Sequence, residues 1–225
     1  MPGSANFQLL LDSPIGADLC APSRETLRGL ARPITLDRRK GLTVDRVYFI
    51  AAGHAKLVCG LHSGQEHITS FLSRGALVFG VTGADGDNGS LQLFALGSCS
   101  VLAFPADSFA EIVGANSQAS RNLSELAQEQ MLALQTHASR LATLTACERV
   151  AAFLSGWSKN GSNPQQDGAR IYLPTTRAEI GDHLGLTIET TSRCISRLKS
   201  EGLLTCPARD EIVILDHRAL ANFAD

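Results

Sequence analysis

The sequence lacks the features that mark a membrane-bound or secreted protein. None of its apolar runs approaches the length of a membrane span. Its start, MPGSANFQLLLDSP, has no basic segment followed by an apolar one, as a signal peptide would have. We therefore expect a cytoplasmic protein that has no membrane partner.

Cysteines in metal-binding or redox spacing are also missing. The six cysteines are scattered and include no Cys-x-x-Cys pair. In a reducing compartment a chain of this size needs no disulfides, so most of them are predicted to be small core residues.

Signatures of catalysis are absent as well. The chain contains no nucleophile–base motif, phosphate loop or metal-ligand cluster, so neither an enzyme nor a metal site is predicted. There is no excess of charge of one sign, since the net charge is −2, and the apolar fraction of 44% is ordinary for a globular protein. Any binding to nucleic acid must therefore depend on where the charges sit.

What the sequence does have, between Pro33 and Pro105, is a series of short β-type segments separated by glycines. AKLVCGL, EHITSFL and CSVLAF alternate apolar and polar residues, as half-buried strands do. Many such strands in a row predict a small antiparallel roll or barrel. Residues 82–90, TGADGDNGS, are predicted to form a polar loop.

A long helix is predicted next, because residues 117–155 contain neither glycine nor proline. An apolar seam at helical spacing is typical of a helix that pairs with a copy of itself, although it also fits a helix packed on its own sheet. The seam consists of Ala127, Met131, Leu134, Ala138 and Leu141. Thr145-Ala-Cys-Glu148 fits a capping box, which predicts that a second helix begins there.

The last third of the chain predicts a winged helix-turn-helix. After a loop at 159–168 and a short strand, RIYLP, Thr176-Arg-Ala-Glu179 forms a second capping box and opens a helix that ends at Gly185. Thr187 can cap a further helix, and LLTC, PARD and EIVIL read as strand, turn and strand. The predicted fold is α+β, with a β-roll domain at 1–116, a dimerisation helix at 117–144 and a winged helix-turn-helix domain at 145–225.

The second helix of this motif has two unlike faces. Its predicted buried stripe consists of Ile188, Thr191, Ile195 and Leu198. The opposite face is polar and fits the major groove of double-stranded DNA. Arg193 matches the two acceptors of a guanine edge, Glu189 can accept from a cytosine amino group, and Ser192 can contact a base edge or a thymine.

Contacts to DNA phosphates are predicted for Thr176, Thr187, Arg197 and Lys199, which would fix the register. The alternative for the polar face is a solvated Glu–Arg pair one helical turn apart, a common arrangement that contributes roughly 0.2–0.5 kcal/mol. The helix-turn-helix frame favours base reading.

These motifs resemble those of the cyclic-AMP-receptor and fumarate-nitrate-regulator superfamily, Crp/Fnr. RAEIGDHLGLTIETTSRCISRLKSEGLL is similar to its helix-turn-helix, and YFIAAGHAKL…SGQEHITSFLSRGALVFG to its β-roll. The resemblance covers nearly the whole chain and implies a homodimer along the long helix, a palindromic operator and contact with RNA polymerase. The trio Glu189, Ser192 and Arg193 is similar to that of the Fnr/FixK-like branch, which reads TTGAT-type half-sites.

The chain departs from the family where effectors bind. Cyclic-AMP binders follow Phe-Gly with a glutamate and later carry an arginine, whereas here Val81 follows Phe79-Gly80 and the later loop offers Asn88, Gly89 and Ser90. Iron–sulfur members have three closely spaced N-terminal cysteines and a fourth in the roll. Here Cys20 stands alone, and Cys99 lies about three residues before the position of that fourth ligand. Neither cyclic AMP nor a cluster is expected, although the sequence leaves open whether Cys20 and Cys99 meet in space.

Two alternatives for the signal remain. The Cys-x-His unit of the family's haem-binding member is absent, but His54, Cys59, His62 and His67 lie in the roll, so a haem- or small-ligand-gated sensor is the alternative to a regulator without a cofactor. Cys194 is a candidate redox site, because its oxidation would place polarity or charge near DNA phosphates. The competing interpretation is that Cys194 packs against the neighbouring helix.

Overall fold

The structure, a computed structural model, describes residues 2–60, 64–80, 90–158 and 167–224. The loops predicted at 82–90 and 159–168 therefore lie outside the described residues, apart from their last positions. The chain divides into two compact units, Met1–Leu132 and Ala133–Asp225, here called the amino-terminal and carboxy-terminal units. Among the described helices, none has the length and apolar character needed to cross a membrane.

The amino-terminal unit contains the antiparallel β-roll that the sequence predicts. One sheet has the strand order β1-β8-β3-β6 and the other β2-β7-β4-β5. Every strand pairs antiparallel with its neighbours. The strands are β1 (Arg32–Leu36), β2 (Leu42–Thr43), β3 (Val47–Ala52), β4 (His54–Gly60), β5 (Glu66–Ser73), β6 (Leu77–Val78), β7 (Ser90–Ala95) and β8 (Cys99–Phe104).

Apolar residues from both sheets form the interior of the roll. Tyr48 and Ile50 of β3, Leu93 of β7 and Val101 of β8 are almost completely buried in one cluster. Alternate positions along the strands supply this cluster, as the period of two in a pleated strand requires. The positions between them, such as Phe49 and Leu102, are buried as well, in a second cluster on the other face of that sheet.

Three helices at the start of the chain were not predicted. They are α1 (Pro2–Leu11), α2 (Pro14–Ala17) and α3 (Ala21–Leu30). Phe7, Leu10 and Leu27 are buried in one cluster with Phe49 and Phe104 of the roll. This packing on the outer side of a sheet is a tertiary effect that the local pattern does not reveal.

Two further helices end the β-rich region, α4 (Ala106–Gly114) and α5 (Ser117–Thr143). The long helix is confirmed, and its 27 residues extend over about 40 Å. Its surface is unusually apolar, since Met131 is 62% exposed and Leu134 is 52% exposed. The domain boundaries predicted at 116/117 and 144/145 stay predictions.

The carboxy-terminal unit has the order of a winged helix-turn-helix, as predicted. Its sheet has the strand order β10-β11-β9. Its elements are α6 (Ala146–Ser158), β9 (Ala169–Tyr172), α7 (Arg177–Leu184), α8 (Ile188–Ser200), β10 (Leu204–Ala208), β11 (Glu211–Ile214) and α9 (His217–Asn222). At the start of α6 the Thr145 N–H donates to the Glu148 carboxylate at 2.7 Å, which holds the pKa of Glu148 below its ordinary value.

The buried face of α8 differs from the predicted stripe at one position. Thr191, Ile195 and Leu198 are buried as predicted, but Ile188 is 47% exposed and Cys194 is buried instead. On a helical wheel both Cys194 and Ile188 lie about 50–70° from the centre set by Thr191, Ile195 and Leu198, so the packed neighbours and not the helical period decide which of the two is buried. Including Ile188 in the buried stripe was wrong.

Candidate nucleic-acid interface

The turn between α7 and α8 is built by caps at both helices. Thr176 accepts from the Glu179 N–H, and the Glu179 carboxylate accepts from the Thr176 N–H at 2.7 Å, which is the predicted capping box. Gly185 ends α7 in the left-handed conformation, φ 64° and ψ 38°, which costs a glycine little. Thr187 then caps α8 by accepting from the Thr190 N–H at 3.2 Å.

The two helices approach closely at Gly181. A Cβ at this position would lie 2.7 Å from the Leu186 carbonyl oxygen and 2.9 Å from the Thr191 hydroxyl. The buried Thr191 hydroxyl donates to the Thr187 carbonyl at 2.9 Å, so it is satisfied inside the motif. Hydrogen bonds therefore hold the start of α8 in place, and the absence of a side chain at Gly181 allows the two helices to approach this closely.

Arg149 of α6 ties the end of α7 to the rest of the unit. Its Nη1 donates to the Leu184 carbonyl and its Nε to the Leu144 carbonyl, both at 3.0 Å. Carbonyls in the last turn of a helix have no hydrogen-bond partner within the helix. A guanidinium there donates hydrogen bonds to them and interacts favourably with the negative end of the helix dipole. Arg149 is a positioning residue for the motif that the sequence did not indicate.

The residues predicted to read bases lie on the outer face of α8. Glu189 and Arg193 are exposed and Ser192 is half-buried. Arg193 donates from Nη2 to the Thr190 hydroxyl at 3.2 Å. Within the part of the chain that the structure describes, Glu189 and Arg193 form no ion pair with each other. The mutual pair that would have satisfied both side chains is thus not formed here.

The residues predicted to contact phosphates differ in how they are engaged. The hydroxyls of Thr176 and Thr187 serve as helix caps. Arg197 forms an ion pair with Glu201 at 2.8 Å, which raises its pKa, and its guanidinium lies 5.4 Å from the centre of the Phe223 ring. Lys199 is exposed in the last turn of α8.

Three polar residues of this surface were missed by the sequence reasoning. Thr190 orients Arg193 through the bond described above. Arg177 is exposed in the first turn of α7, and Arg209 is exposed in the turn between β10 and β11. Their signals were present in the sequence, since Arg177 lies inside a capping box and Arg209 in the turn that joins two predicted strands.

Cys194 lies on the inner side of α8, where it packs against α6. It is 3% exposed, and its Sγ is 2.6 Å from the Sγ of Cys147. Burial, and next the bond from Cys147, raise the pKa of Cys194 to about 12. The packing agrees with the core interpretation and disfavours direct attack of an oxidant on this sulfur, while a redox role stays a prediction.

The positions considered for a cofactor are dispersed over the amino-terminal unit. Cys20 is exposed at the start of α3, where a bond to Ser23 lowers its pKa, whereas burial raises the pKa of Cys99 to about 11. Cys59 of β4 lies directly opposite His67 of β5. His54 is half-buried, with Nδ1 3.3 Å from the Ser73 hydroxyl.

Several of the predicted effector positions cannot be placed. His62, Val81, Asn88 and Gly89 lie outside the described residues. Among the residues that the structure does describe, no group of three or more histidine, cysteine or acidic side chains is arranged to hold a metal ion.

Comparison with known proteins gives matches in both units. A model for a Crp-like helix-turn-helix domain matches residues 148–223, and one for a cyclic nucleotide-binding domain matches residues 38–116. The transcriptional activator protein FnrA of Stutzerimonas stutzeri is 31% identical over 186 residues, which cover 83% of this chain and 75% of that protein. The nitrogen fixation regulation protein FixK of Rhizobium meliloti is 30% identical over 181 residues, with coverages of 80% and 79%.

A solved structure gives the same result at the level of the fold. FixK2 from Bradyrhizobium japonicum superposes with a TM-score of 0.74 at 26% identity. The match covers 87% of this chain and 98% of that one.

Proposed function

This chain belongs to the Crp/Fnr family of DNA-binding transcription regulators, within its Fnr/FixK-like branch, and from that premise we propose that it acts as a homodimer that reads a palindromic operator with TTGAT-like half-sites. The observation that carries the proposal is the outer face of α8. Its polar side chains are exposed, while its other face is fixed by buried contacts to the unit. Such a helix can enter the major groove with its side chains already directed outward.

Base reading is assigned to Arg193, Glu189 and Ser192. Arg193 donates to the O6 and N7 of a guanine, and Glu189, about 6 Å earlier along the helix axis, accepts from the amino group of the paired cytosine. The absence of an ion pair between the two side chains supports this assignment, since no such bond has to break on binding.

Phosphate contacts are assigned to Thr176, Thr187, Arg197 and Lys199. Arg197 can contact a phosphate without losing Glu201, because only its Nε is bonded to that carboxylate and the guanidinium has five N–H donors. The exposed Arg177 and Arg209 extend this set to the start of α7 and to the wing.

The dimer is proposed to form along α5. Met131, Leu134 and Ala138 repeat at helical spacing and are all exposed. Pairing of two copies of this seam would bury it as a coiled coil. A two-fold axis would place the two α8 helices in successive major grooves, about 34 Å apart.

The partners proposed beyond DNA are RNA polymerase and a second copy of the chain, with the cytoplasm as the location. Activation is the favoured outcome, since FnrA is named a transcriptional activator. We propose that neither cyclic AMP nor an iron–sulfur cluster is the signal, because the sequence lacks the arginine that binds the phosphate and the three closely spaced N-terminal cysteines that hold the cluster.

A second candidate is a haem- or small-ligand-gated regulator of the same operator. It is favoured by Cys59 and His67, because directly opposed residues of an antiparallel pair project to the same face, which places a sulfur and an imidazole side by side. An absorbance spectrum of anaerobically purified protein separates the candidates. A Soret band would support the gated regulator and contradict the version without a cofactor.

The proposed function is tested with two labelled duplexes, a TTGAT palindrome and a copy in which the G·C pair of each half-site is exchanged for A·T. We expect the wild type to prefer the first duplex, and Arg193→Ala to lose roughly 1–3 kcal/mol per half-site on it while keeping weak non-specific binding. Arg193→Lys is the matched control, because it keeps the charge but loses the bidentate geometry. Equal loss of binding to both duplexes would make Arg193 a phosphate contact and contradict the assignment.

A further inference from the structure

Two cysteines that are distant in sequence meet inside the carboxy-terminal unit. Cys147 lies in the first turn of α6 and Cys194 in the middle of α8, 47 residues later. The sulfur of Cys147 lies 2.6 Å from the sulfur of Cys194, and both are free cysteines. The two helices are therefore packed with their cysteine side chains already in contact.

The two thiols of this pair differ in access. Cys147 is half-buried in the first turn of α6. Cys194 is 3% exposed and lies behind it. A small oxidant dissolved in water reaches Cys147 first, and the sulfur that can then react with the product is already beside it.

The other cysteines offer no such arrangement. Cys20 is bonded to a serine, and Cys99 is enclosed by the apolar interior of the roll. Cys59 and Cys206 are half-buried, and no sulfur is bonded to either in the described part of the chain. The contact between Cys147 and Cys194 thus distinguishes this pair from the remaining thiols.

We propose that Cys147 and Cys194 form a reversible disulfide when the protein meets a hydroperoxide, which ties the helix that carries Glu189 and Arg193 to α6. The Cys147 thiolate attacks a peroxide oxygen, the O–O bond breaks, and a sulfenic acid and water form from hydrogen peroxide. The Cys194 sulfur then attacks the sulfenic sulfur, the S–S bond forms, the S–O bond breaks, and a second water leaves with the Cys194 proton. Two thiols are oxidised by two electrons, and one hydrogen peroxide is reduced to two waters.

The disulfide would stabilise the carboxy-terminal unit without covering its outer surface. A cross-link between residues 47 apart restricts the unfolded chain, so we expect the melting temperature to rise by roughly 5–15 °C. Cys194 projects from the inner side of α8, so the bond leaves Glu189 and Arg193 exposed. A dithiol such as dithiothreitol would reverse the change by exchange.

Mass spectrometry of the full chain after mild hydrogen peroxide treatment tests this inference. We expect the loss of two hydrogens, restored by dithiothreitol, and a tryptic cross-link between peptides 141–149 and 194–197. Cys147→Ser should abolish both the cross-link and the rise in melting temperature. In Cys194→Ser, Cys147 should remain as a sulfenic acid that dimedone traps, which keeps the test informative if one variant folds poorly. Cys206→Ser, another half-buried cysteine of this unit, is the matched control and should behave as the wild type.

The inference fails if folded wild-type protein shows no cross-link, if the cross-link joins other cysteines, or if it forms only in urea. It also fails if Cys147 proceeds to a sulfinic acid while Cys194 stays reduced. None of these readouts depends on DNA, so the outcome is independent of the proposed operator.

Discussion

At the scale of single residues, α8 carries side chains that are already held and side chains that are not. Glu189 is exposed and has no ion-pair partner among the residues that the structure describes, whereas Arg197 is bonded to Glu201 and lies over Phe223. A side chain that is held in place loses little entropy when it meets a ligand, because that entropy has already been lost on folding. Arg197 is therefore suited to fixing the register of the helix on DNA.

Arg197→Ala should weaken binding by a similar factor on operator and random DNA. Because one phosphate contact per half-site would be lost, the slope of log affinity against log salt should fall by about one per half-site. Fluorescence anisotropy at several salt concentrations measures both quantities. Glu201→Gln is the control, since it removes a negative charge beside the proposed phosphate contact and should tighten binding to both DNAs. A loss confined to the operator would show that Arg197 reads a base.

His54 should make stability depend on pH in the acidic range. Burial lowers its pKa from the ordinary 6.5, so the folded protein binds the proton less readily than the unfolded one. Above pH 6.5 His54 is neutral in both the folded and the unfolded protein and does not change the free energy of unfolding. As the pH falls from there through the folded pKa, the free energy of unfolding decreases. The free energy of unfolding in urea, measured at about pH 7.5 and about pH 5.5, should differ less between the two pH values for His54→Gln than for the wild type. An equal difference for both proteins would contradict the expectation.

At the scale of elements, the helix-turn-helix depends on one position that has no side chain. Gly181 lies where a Cβ would meet the Leu186 carbonyl oxygen at 2.7 Å, whereas Gly156 of α6 has open space around it. The same substitution should therefore have opposite effects in two helices of one unit.

Gly181→Ala should destabilise the carboxy-terminal unit by roughly 1–3 kcal/mol, because backbone has to move to accept the methyl group. Gly156→Ala should be neutral or stabilise by up to about 1 kcal/mol, since alanine has the better helix propensity and meets no neighbour. Thermal unfolding followed by circular dichroism measures both. A stable Gly181→Ala variant would mean that α7 and α8 are not held as closely as described.

The sequence predicted these elements well where the signal is local. The capping box at Thr176, the stop at Gly185 and the unbroken segment that forms α5 all depend on neighbours in sequence. Contacts between distant residues were missed, such as Phe7 on the roll, Arg197 over Phe223, and Cys147 beside Cys194. The exchange of Ile188 for Cys194 in the buried face belongs to this class, because the packed neighbours and not the period decide the margin of a helix face.

At the scale of the whole molecule, the proposed dimer depends on the exposed apolar side chains of α5. Leu134 and Leu132 have similar exposures, 52% and 63%. Because residues two positions apart lie on nearly opposite sides of an α-helix, only Leu134 belongs to the predicted seam. This difference gives the dimer proposal a control on the same helix.

Leu134→Glu should weaken the dimer by about 3 kcal/mol or more, since two leucines per dimer leave the interface. Leu132→Glu should leave the dimer intact. Sedimentation velocity over a range of concentrations measures the association, and operator binding should weaken in parallel for Leu134→Glu only. If Leu132→Glu dissociates the protein and Leu134→Glu does not, the pairing surface lies on the other side of α5.

The way α8 is anchored separates the side chains proposed to read bases from those that keep the helix folded. Its inner contacts, through Thr191, Ile195 and Leu198, involve none of the outer side chains. Mutations at positions such as 189 and 193 can therefore accumulate without a penalty in folding. After a gene duplication, such a protein could acquire a new set of target promoters in a few single-residue steps while both copies remain stable.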